Sequence, residues 1–465
     1  MLLTSLSHRM LALAALLAFL HSGAIADPKK LPDELKDEGV LVFEIVRHPD
    51  IRHTGQRWIR QAVINGKRYA DMAEADHMRA VALPPGEYKL DALVAVGARE
   101  STYIGGVHLR GSPATSWSVD RPFVIEAGKV TNLGQFVFHQ STDNPQQYAI
   151  RYIDNSTDLP PLEKLNPTLA ASLTPEKFVL APGNYLSAPQ LEALRLEFAR
   201  RDLKGLTAAQ LKHTHFVVDT TGTVAILDKP DASKPPAVKI VDIGHSRTPL
   251  CTDWRKGVAC LAKGNSILLL DGAERRTIDY PKDFKPYRIH TFGDSGVVLA
   301  DELFRFVVSK DGGANWTAYN EAAFDKTYIG AYPRFHNGAR GFYVYSAYAF
   351  GEGAGIRLLY APYETAQLQP LPRPQAMKTI ATALETKQGL YLSPRTSYSD
   401  TTTTLYFTPI GKSEPEIMSI PASFCSRLFA DDADGQQLTA VCATRTSMWD
   451  KEDWHSSDGG KTWTK

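Results

Sequence analysis

Apolar and polar residues alternate along most of this chain in short runs. Examples are VLVFEIV from Val40, RWIRQAVING from Arg57, MRAVALP from Met78, YKLDALVAVG from Tyr88, PFVIEAG from Pro122, VTNLGQFVFHQ from Val130 and QYAIRYI from Gln147. Period-two alternation bounded by Gly, Pro and Asp predicts β-strands joined by tight turns. One stretch breaks the pattern. SAPQLEALRLEFARRDLKGLTAAQL, from Ser187, places Leu191, Leu194, Leu196 and Phe198 behind a capping serine, which predicts a helix.

The runs divide into two groups around DNSTDLPPLEKLNPTLAASLTPE, residues 154–176, where turn formers and prolines dominate. This predicts a strand-rich domain over 27–153, a linker over 154–176 and a second strand-rich domain over 177–465. In the first domain, Pro84-Pro85-Gly86-Glu87-Tyr88 is suited to a tight turn into a strand. FVIEAGKVTNLGQFVF reads as strand, turn at Gly128, strand, with Gly134 where a side chain would crowd a neighbour. On those two motifs residues 39–153 resemble the small transthyretin-like or carboxypeptidase-regulatory-like β-sandwiches of exported bacterial proteins. The resemblance implies an accessory or binding module without chemistry of its own.

The second domain repeats itself. SKDGGANWT begins at Ser309 and SSDGGKTWTK at Ser456, so Ser-x-Asp-x-Gly-x-x-Trp occurs twice. The aspartate can accept backbone N–H groups across a turn, the glycines permit positive φ, and the tryptophan can bury itself at the start of the next strand. Ser309, Asp311, Gly313 and Trp316, with Ser456, Asp458, Gly460 and Trp463, resemble the Asp box or BNR repeat of sialidases, sortilin-type receptors and photosystem assembly factors. That resemblance implies a β-propeller in which the box is a structural hairpin brace. Degenerate hairpins near Asp228, Asp271, Pro362 and Pro409 fall in the same series, with successive turns 40 to 51 residues apart. The expected fold is therefore all-β: an N-terminal sandwich followed by a propeller of six blades, with a seventh left open. KFVLAPGNY at 177–185 is a candidate strand for the propeller's closing seam.

The N-terminal residues set the chemical context. His8 and Arg9 precede the apolar run MLALAALLAFL, and Ala24-Ile25-Ala26 ends it. Residues 1–26 read as a cleavable signal peptide, too short in its apolar part to anchor in a bilayer. The lack of cysteine before Cys251 excludes a lipobox. The expected location is periplasmic or secreted. Removing Arg9 with the leader leaves 51 Lys and Arg against 51 Asp and Glu. This balance argues against nucleic acid and anionic lipid as partners and against membrane insertion. Four cysteines in an oxidising compartment favour two disulfides. Cys251 with Cys260 and Cys425 with Cys442 are the local pairings, and two other connectivities are open.

Candidate chemistry is sparse. PYRIHTFGD carries Tyr287-Arg288-Ile289 about 20 residues upstream of Ser309. It is similar to the Tyr/Phe-Arg-Ile-Pro motif of sialidases, whose arginine grips a sugar carboxylate. Here His290 replaces the proline, and Arg288 lies midway through the repeats rather than at their start. A glycosidase centred on Arg288 would also need partners of the types offered by Arg334, Arg357, Tyr345, Glu352 and Asp301, which no spacing selects. His213 and His215 alternate on a predicted strand without a third ligand, so no metal is expected. The sequence holds no Gly-x-Ser-x-Gly elbow, phosphate loop or Cys-x-x-Cys, so no cofactor is expected either. Aromatic surfaces are offered by the tyrosine-rich run at 341–355 and by Trp254, Trp449 and Trp454. The expectation is a non-catalytic module that recognises an envelope protein or cell-surface glycan through Arg288, Tyr345, Trp254 and Trp454.

Overall fold

The computed structural model describes residues 25–26, 31–47, 59–69, 72–75, 78–95, 102–104, 107–109, 115–140, 148–156, 162–219, 221–228, 236–241, 243, 250–262, 264–272, 274–320, 323–324, 333–346, 356–374, 377–396, 400–446 and 450–465. The apolar run of the leader, Glu352 and Trp449 lie outside the described residues. The chain divides into two compact units, Met1–Leu194 and Arg195–Lys465.

The N-terminal unit holds two large sheets. One runs in the order Ile25–Ala26, Lys67–Tyr69, Ile59–Ile64, Gly86–Ala95, Thr115–Ile125. The other runs Tyr148–Ile153, Val130–Gln140, Gly39–Arg47, Met78–Leu83, Ala73–Ala75. Leu41, Phe43, Ile45, Phe136 and Phe138 from the second sheet share one core with Ile64, Leu90, Leu93, Trp117 and Phe123 from the first. The rings of Phe43 and Phe136 stack at 5.2 Å between centroids. The PPGEY turn carries the chain from one sheet to the other, and Tyr88 Oη donates to Pro84 O at 2.9 Å.

The VLVFEIV run is almost continuously apolar because its sheet is covered on both faces. Leu41, Phe43 and Ile45 point into the shared core, whereas Val40 and Val42 pack with Leu31, Leu35, Leu162 and Leu169 on the other side. Leu162 and Leu169 come from the segment expected to be a linker. That expectation is corrected: Leu162–Leu165 and Pro167–Ser172 are short helices, and the buried Asn166 caps the second by accepting from Leu169 N at 3.0 Å. Apolar side chains at 162, 165 and 169 had a sheet face to cover, so the segment packs down.

The seam strand is corrected as well. Phe178–Leu180 pairs with Val130–Asn132 in the N-terminal sheet. Tyr148–Ile153 covers only Gln135–Gln140 of that edge, and the later segment takes the remainder. The edge is bent between these two pairings at Gly134, whose φ is 80° and where a Cβ would lie 2.5 Å from Ile153 O.

The C-terminal unit is a succession of antiparallel sheets. The first comprises Phe216–Val218, Val224–Asp228 and Ala237–Val241; the second, Cys251–Trp254, Gly257–Ala262, Ser266–Asp271 and Glu274–Asp279; the third, Arg288–Phe292, Gly296–Ala300, Phe306–Ser309 and Thr317–Tyr319. The fourth comprises Pro333–Asn337, Gly341–Ser346, Leu358–Pro362 and Gln369–Pro370; the fifth, Thr382–Glu385, Gly389–Ser393, Thr403–Pro409 and Glu416–Ile420; the sixth, Arg427–Ala430, Leu438–Ala443 and Lys451–Ser456. Thr464 bridges His455 as the start of a fourth strand in the sixth sheet. From the second sheet to the sixth, the opening strand of each lies against the opening strand of the next. Sheets that meander outward from a common ring of opening strands form a β-propeller.

Ala188–Lys204 is the expected helix, with Leu194 and Phe198 fully buried. It is followed by Ala208–His213, closed by a capping box between Thr207 and Gln210. This second helix docks on the sixth sheet: Ala209 N donates to Asp453 at 2.9 Å, Lys212 pairs with Asp431, and the His213 ring stacks on Phe429 at 4.3 Å. His213 is therefore helical rather than on a strand.

Candidate functional site at the propeller axis

The opening strands enclose a cavity of 820 Å³ lined by Cys251, Arg288, His290, Arg334, His336, Tyr345, Glu385, Arg427, Phe429 and their neighbours, with His213 from the docked helix. All these strands run in the same direction about the axis, since each is followed by an antiparallel meander of the same sense. Residues at the start of each strand therefore sit at one mouth. Arg288 and Arg427 are the first residues of their strands and Arg334 is the second of its own. Arg288, Arg334 and Arg427, from the third, fourth and sixth sheets, line the cavity at that mouth, and the charge of Arg334 reaches Arg427.

None of the three forms an ion pair among the described residues. Arg334 Nη1 donates to Ala381 O at 2.9 Å, and Arg288 stacks on the ring of Tyr287 at 4.7 Å. Arg427 reaches solvent yet is encircled by protein. Desolvation draws its pKa below the ordinary value, the like charge of Arg334 adds to this, and Asp253 and Tyr345 oppose it. Tyr345 is 5% exposed, and burial pushes its phenol up despite the nearby Arg334. A raised phenol is a neutral hydrogen-bond donor rather than a ready nucleophile.

Deeper along the strands the polar groups pair with each other. His290 Nε2 donates to Asn337 Oδ1 at 2.9 Å, because Asn337 Nδ2 is committed to Thr291 O at 3.0 Å and fixes the amide's orientation. His336 Nε2 accepts from Glu385 N at 3.0 Å, which requires an unprotonated nitrogen there. Both imidazoles are neutral, with pKa lowered to about 4, chiefly by desolvation. Glu385 is occupied by Ala339 N at 2.7 Å and by Arg340 at 3.8 Å. Its carboxylate also helps push the Tyr343 phenol far above its ordinary value, after desolvation. These bonds tie the third, fourth and fifth sheets into a belt, and a Thr291 bond to Asp253 O extends it to the second sheet.

The other sequence candidates lie elsewhere. Trp254 is 4% exposed, packed between the second and third sheets with Arg255 over its ring, and is corrected from a ligand-binding residue to a core residue. Trp454 is half-buried at the edge of the sixth-sheet core; its Nε1 donates to Glu452 at 3.0 Å and Lys465 lies over its ring. Asp301 is held by Arg305 and by the N–H groups of Leu303 and Arg305. The Arg357 side chain lies over Phe324. Of the residues considered for a glycosidase, Arg288, Arg334 and Tyr345 converge, and Asp301 and Arg357 do not.

Arg427, His290, His336, Asn337 and Glu385 complete the cavity wall without having been selected from sequence as site residues. A signal for Arg427 exists. Arg288 and Arg334 are 46 residues apart and Arg427 follows 93 later, twice that step within one residue.

The two Ser-x-Asp turns join third and fourth strands, at the end of the propeller opposite the arginine mouth. In the first, Ser309 Oγ donates to Asp311 at 2.8 Å and accepts from Gly313 N at 2.8 Å, while Asp311 accepts from Asn315 N at 2.9 Å and Asn315 Nδ2 at 2.7 Å. In the second, Ser456, Gly460 and Thr462 repeat those bonds around Asp458. Both carboxyls are held down at about 2, mainly by the side chains of Asn315 and Thr462 respectively. Trp316 Nε1 reaches back to Asp279 O in the preceding sheet at 3.0 Å, and Trp463 packs 8% exposed in the last one. Disulfides join Cys251 to Cys260 and Cys425 to Cys442.

No protein-family profile and no curated protein matches this chain. Solved structures do. One described as YCF48 bound to a D1 peptide is 14% identical, with a TM-score of 0.38 over 53% of this chain and 75% of its own. YCF48 from Cyanidioschyzon merolae gives 14% identity and a TM-score of 0.36 over 54% and 79%. A structure described as a putative 6-phosphogluconolactonase from Bacteroides uniformis gives 11% identity and a TM-score of 0.36 over 54% and 79%.

Proposed function

We propose that this chain is an exported, non-catalytic binding module of the bacterial envelope, whose propeller recognises an anionic group of a protein or glycan at the arginine mouth. The observation that carries the reading is the convergence of Arg288, Arg334 and Arg427 on one cavity without an ion pair among the described residues. Like charges held together in a walled cavity are relieved by an entering anion, and guanidinium forks suit carboxylate, phosphate or sulfate.

In this reading residues 1–26 are a signal peptide removed before Asp27, which takes the two-residue strand Ile25–Ala26 from the edge of its sheet, and the protein works in the periplasm or outside the cell. The two N-terminal sheets form an accessory β-sandwich, the six C-terminal sheets are six blades, and the Ser-x-Asp turns are Asp boxes that brace them. The raised Tyr345 phenol and the scattered positions of Asp301 and Arg357 favour binding over glycoside cleavage.

The test is calorimetric titration of the mature chain with an oligoglutamate peptide and with N-acetylneuraminic acid, beside the Arg334→Gln/Arg427→Gln variant. Salt-sensitive binding lost in the variant supports the reading, and no binding of either probe by the wild type counts against it. An aryl sialoside is assayed in parallel. Turnover abolished by Arg288→Ala would reassign the site to hydrolysis.

A further inference from the structure

The two disulfides sit in different surroundings. Cys425 and Cys442 are 4% and 0% exposed, inside the core shared by the fifth and sixth sheets. Cys260 is also fully buried, in the core shared by the first and second sheets, and Cys251 packs against that core but is partly exposed and lines the axial cavity. The two residues stand directly opposite on the first and second strands of the second sheet. Cys251 opens its strand as Arg288 opens the adjacent one, so both lie at the same mouth. Arg427 is close enough to sense Asp253, two residues along from Cys251. Glu385, farther along the cavity, is already bonded to Ala339 N and Arg340, so among the described residues three guanidinium groups with Asp253 beside Arg427 leave this mouth net positive.

We propose that Cys251–Cys260 is a thiol–disulfide exchange site that selects anionic small thiols, with Cys251 as the sulfur attacked from the cavity. Exchange requires a thiolate to reach one sulfur of the bond, and accessibility together with local positive charge decides which sulfur and which thiol. The incoming thiolate bonds to Cys251 Sγ and the Cys251–Cys260 bond breaks, with Cys260 leaving as a thiolate that takes a proton from water. A second thiol then attacks the mixed disulfide and frees Cys251. Overall, two thiols are oxidised to their disulfide and the protein disulfide is reduced to two thiols. The opening strand of the second sheet then loses its covalent tie to the next, although Asp253 O of that strand accepts from Thr291 in the belt. The oxidation state of this pair thereby sets the rigidity of the mouth. The inference goes beyond the anion-binding reading and stands whether or not a macromolecular ligand exists.

The experiment treats the folded full chain with 2-mercaptoethanesulfonate, 2-mercaptoethanol and cysteamine at matched thiolate concentration. Differential alkylation and peptide mass spectrometry then locate adducts and free thiols. The expected result is reduction of Cys251–Cys260 while Cys425–Cys442 stays closed, with trapped adducts on Cys251. The anionic thiol should react on the order of tenfold faster than the cationic one at low salt, a bias that high salt or Arg288→Gln/Arg427→Gln removes. Opening of Cys425–Cys442 first or at equal rate, adducts on Cys260, no charge preference, or resistance of both bonds would each overturn the proposal. Loss of oligoglutamate binding with this pattern intact would sink only the anion-binding reading.

Discussion

At one end of the C-terminal unit, Asp311 and Asp458 each bind N–H and hydroxyl donors supplied by residues within four positions of themselves. At the other end, Arg288, Arg334 and Arg427 come from three sheets and line one cavity without an ion pair among the described residues. Both ends gather charge, but only one neutralises it. A charged group saturated by its own turn stabilises that turn and has little left to offer a ligand. Charges brought together by the fold and left unpaired carry an electrostatic cost that binding an anion removes.

The comparison can be broken in five ways, from the largest expected effect per residue downward. Trp463→Ala removes a side chain 8% exposed in the last sheet's core, and should lower the stability of the C-terminal unit by about 3–5 kcal/mol in urea unfolding. A smaller loss would mean that the turn does not anchor the sixth sheet.

The neutral imidazoles give the next effect. His290 and His336 have folded pKa values of about 4 against an ordinary 6.5, so the unfolded chain binds more protons between those values. Their contribution is complete above about pH 6.5 and drains as pH falls toward 4, by roughly 3 kcal/mol for each imidazole. Urea midpoints at pH 7, 5.5 and 4.5 should fall in that order, and His336→Phe should flatten the slope.

Arg334→Gln/Arg427→Gln tests the mouth itself. Oligoglutamate affinity should fall about 10–100-fold, by analogy with lost charge-assisted bonds of about 1.5–3 kcal/mol. Melting temperature should hold or rise, because two like charges are removed. A variant that binds normally but melts early would make the arginines structural, like the aspartates.

Gly313→Ala probes the turn end. Its φ of 92° and a Cβ position 2.9 Å from Ile278 predict a loss of about 1–2 kcal/mol without any change in anion binding. The smallest effect belongs to Asp311→Asn, which should lower the melting temperature less than Trp463→Ala does. Since the folded carboxyl sits at about 2, below its ordinary 3.8, the wild-type advantage should persist above pH 3.8 and vanish only as pH falls through about 2.

Local information was enough for the turns, most strands and the first helix. The apolar run from Val40 to Val46, Gly134 where a Cβ would meet Ile153 O, and the serine, aspartate and glycines of each Ser-x-Asp turn all act within a few residues of themselves. The paired cysteines were equally close in sequence. The tertiary structure decided what those elements were next to. It placed Phe178–Leu180 on the N-terminal sheet, because an edge below Gly134 stood open there, and it packed Leu162 and Leu169 onto that sheet's outer face. It buried Trp254 between two sheets, and it laid Trp454 against Glu452 of its own strand with Lys465 over its ring. It also brought Arg427 to Arg288 across 139 residues of chain. A propeller repeats its opening strand at nearly constant spacing, so residues far apart in sequence become neighbours around one axis. The alternation shows that each strand exists, while the closing of the ring determines which side chains share its centre.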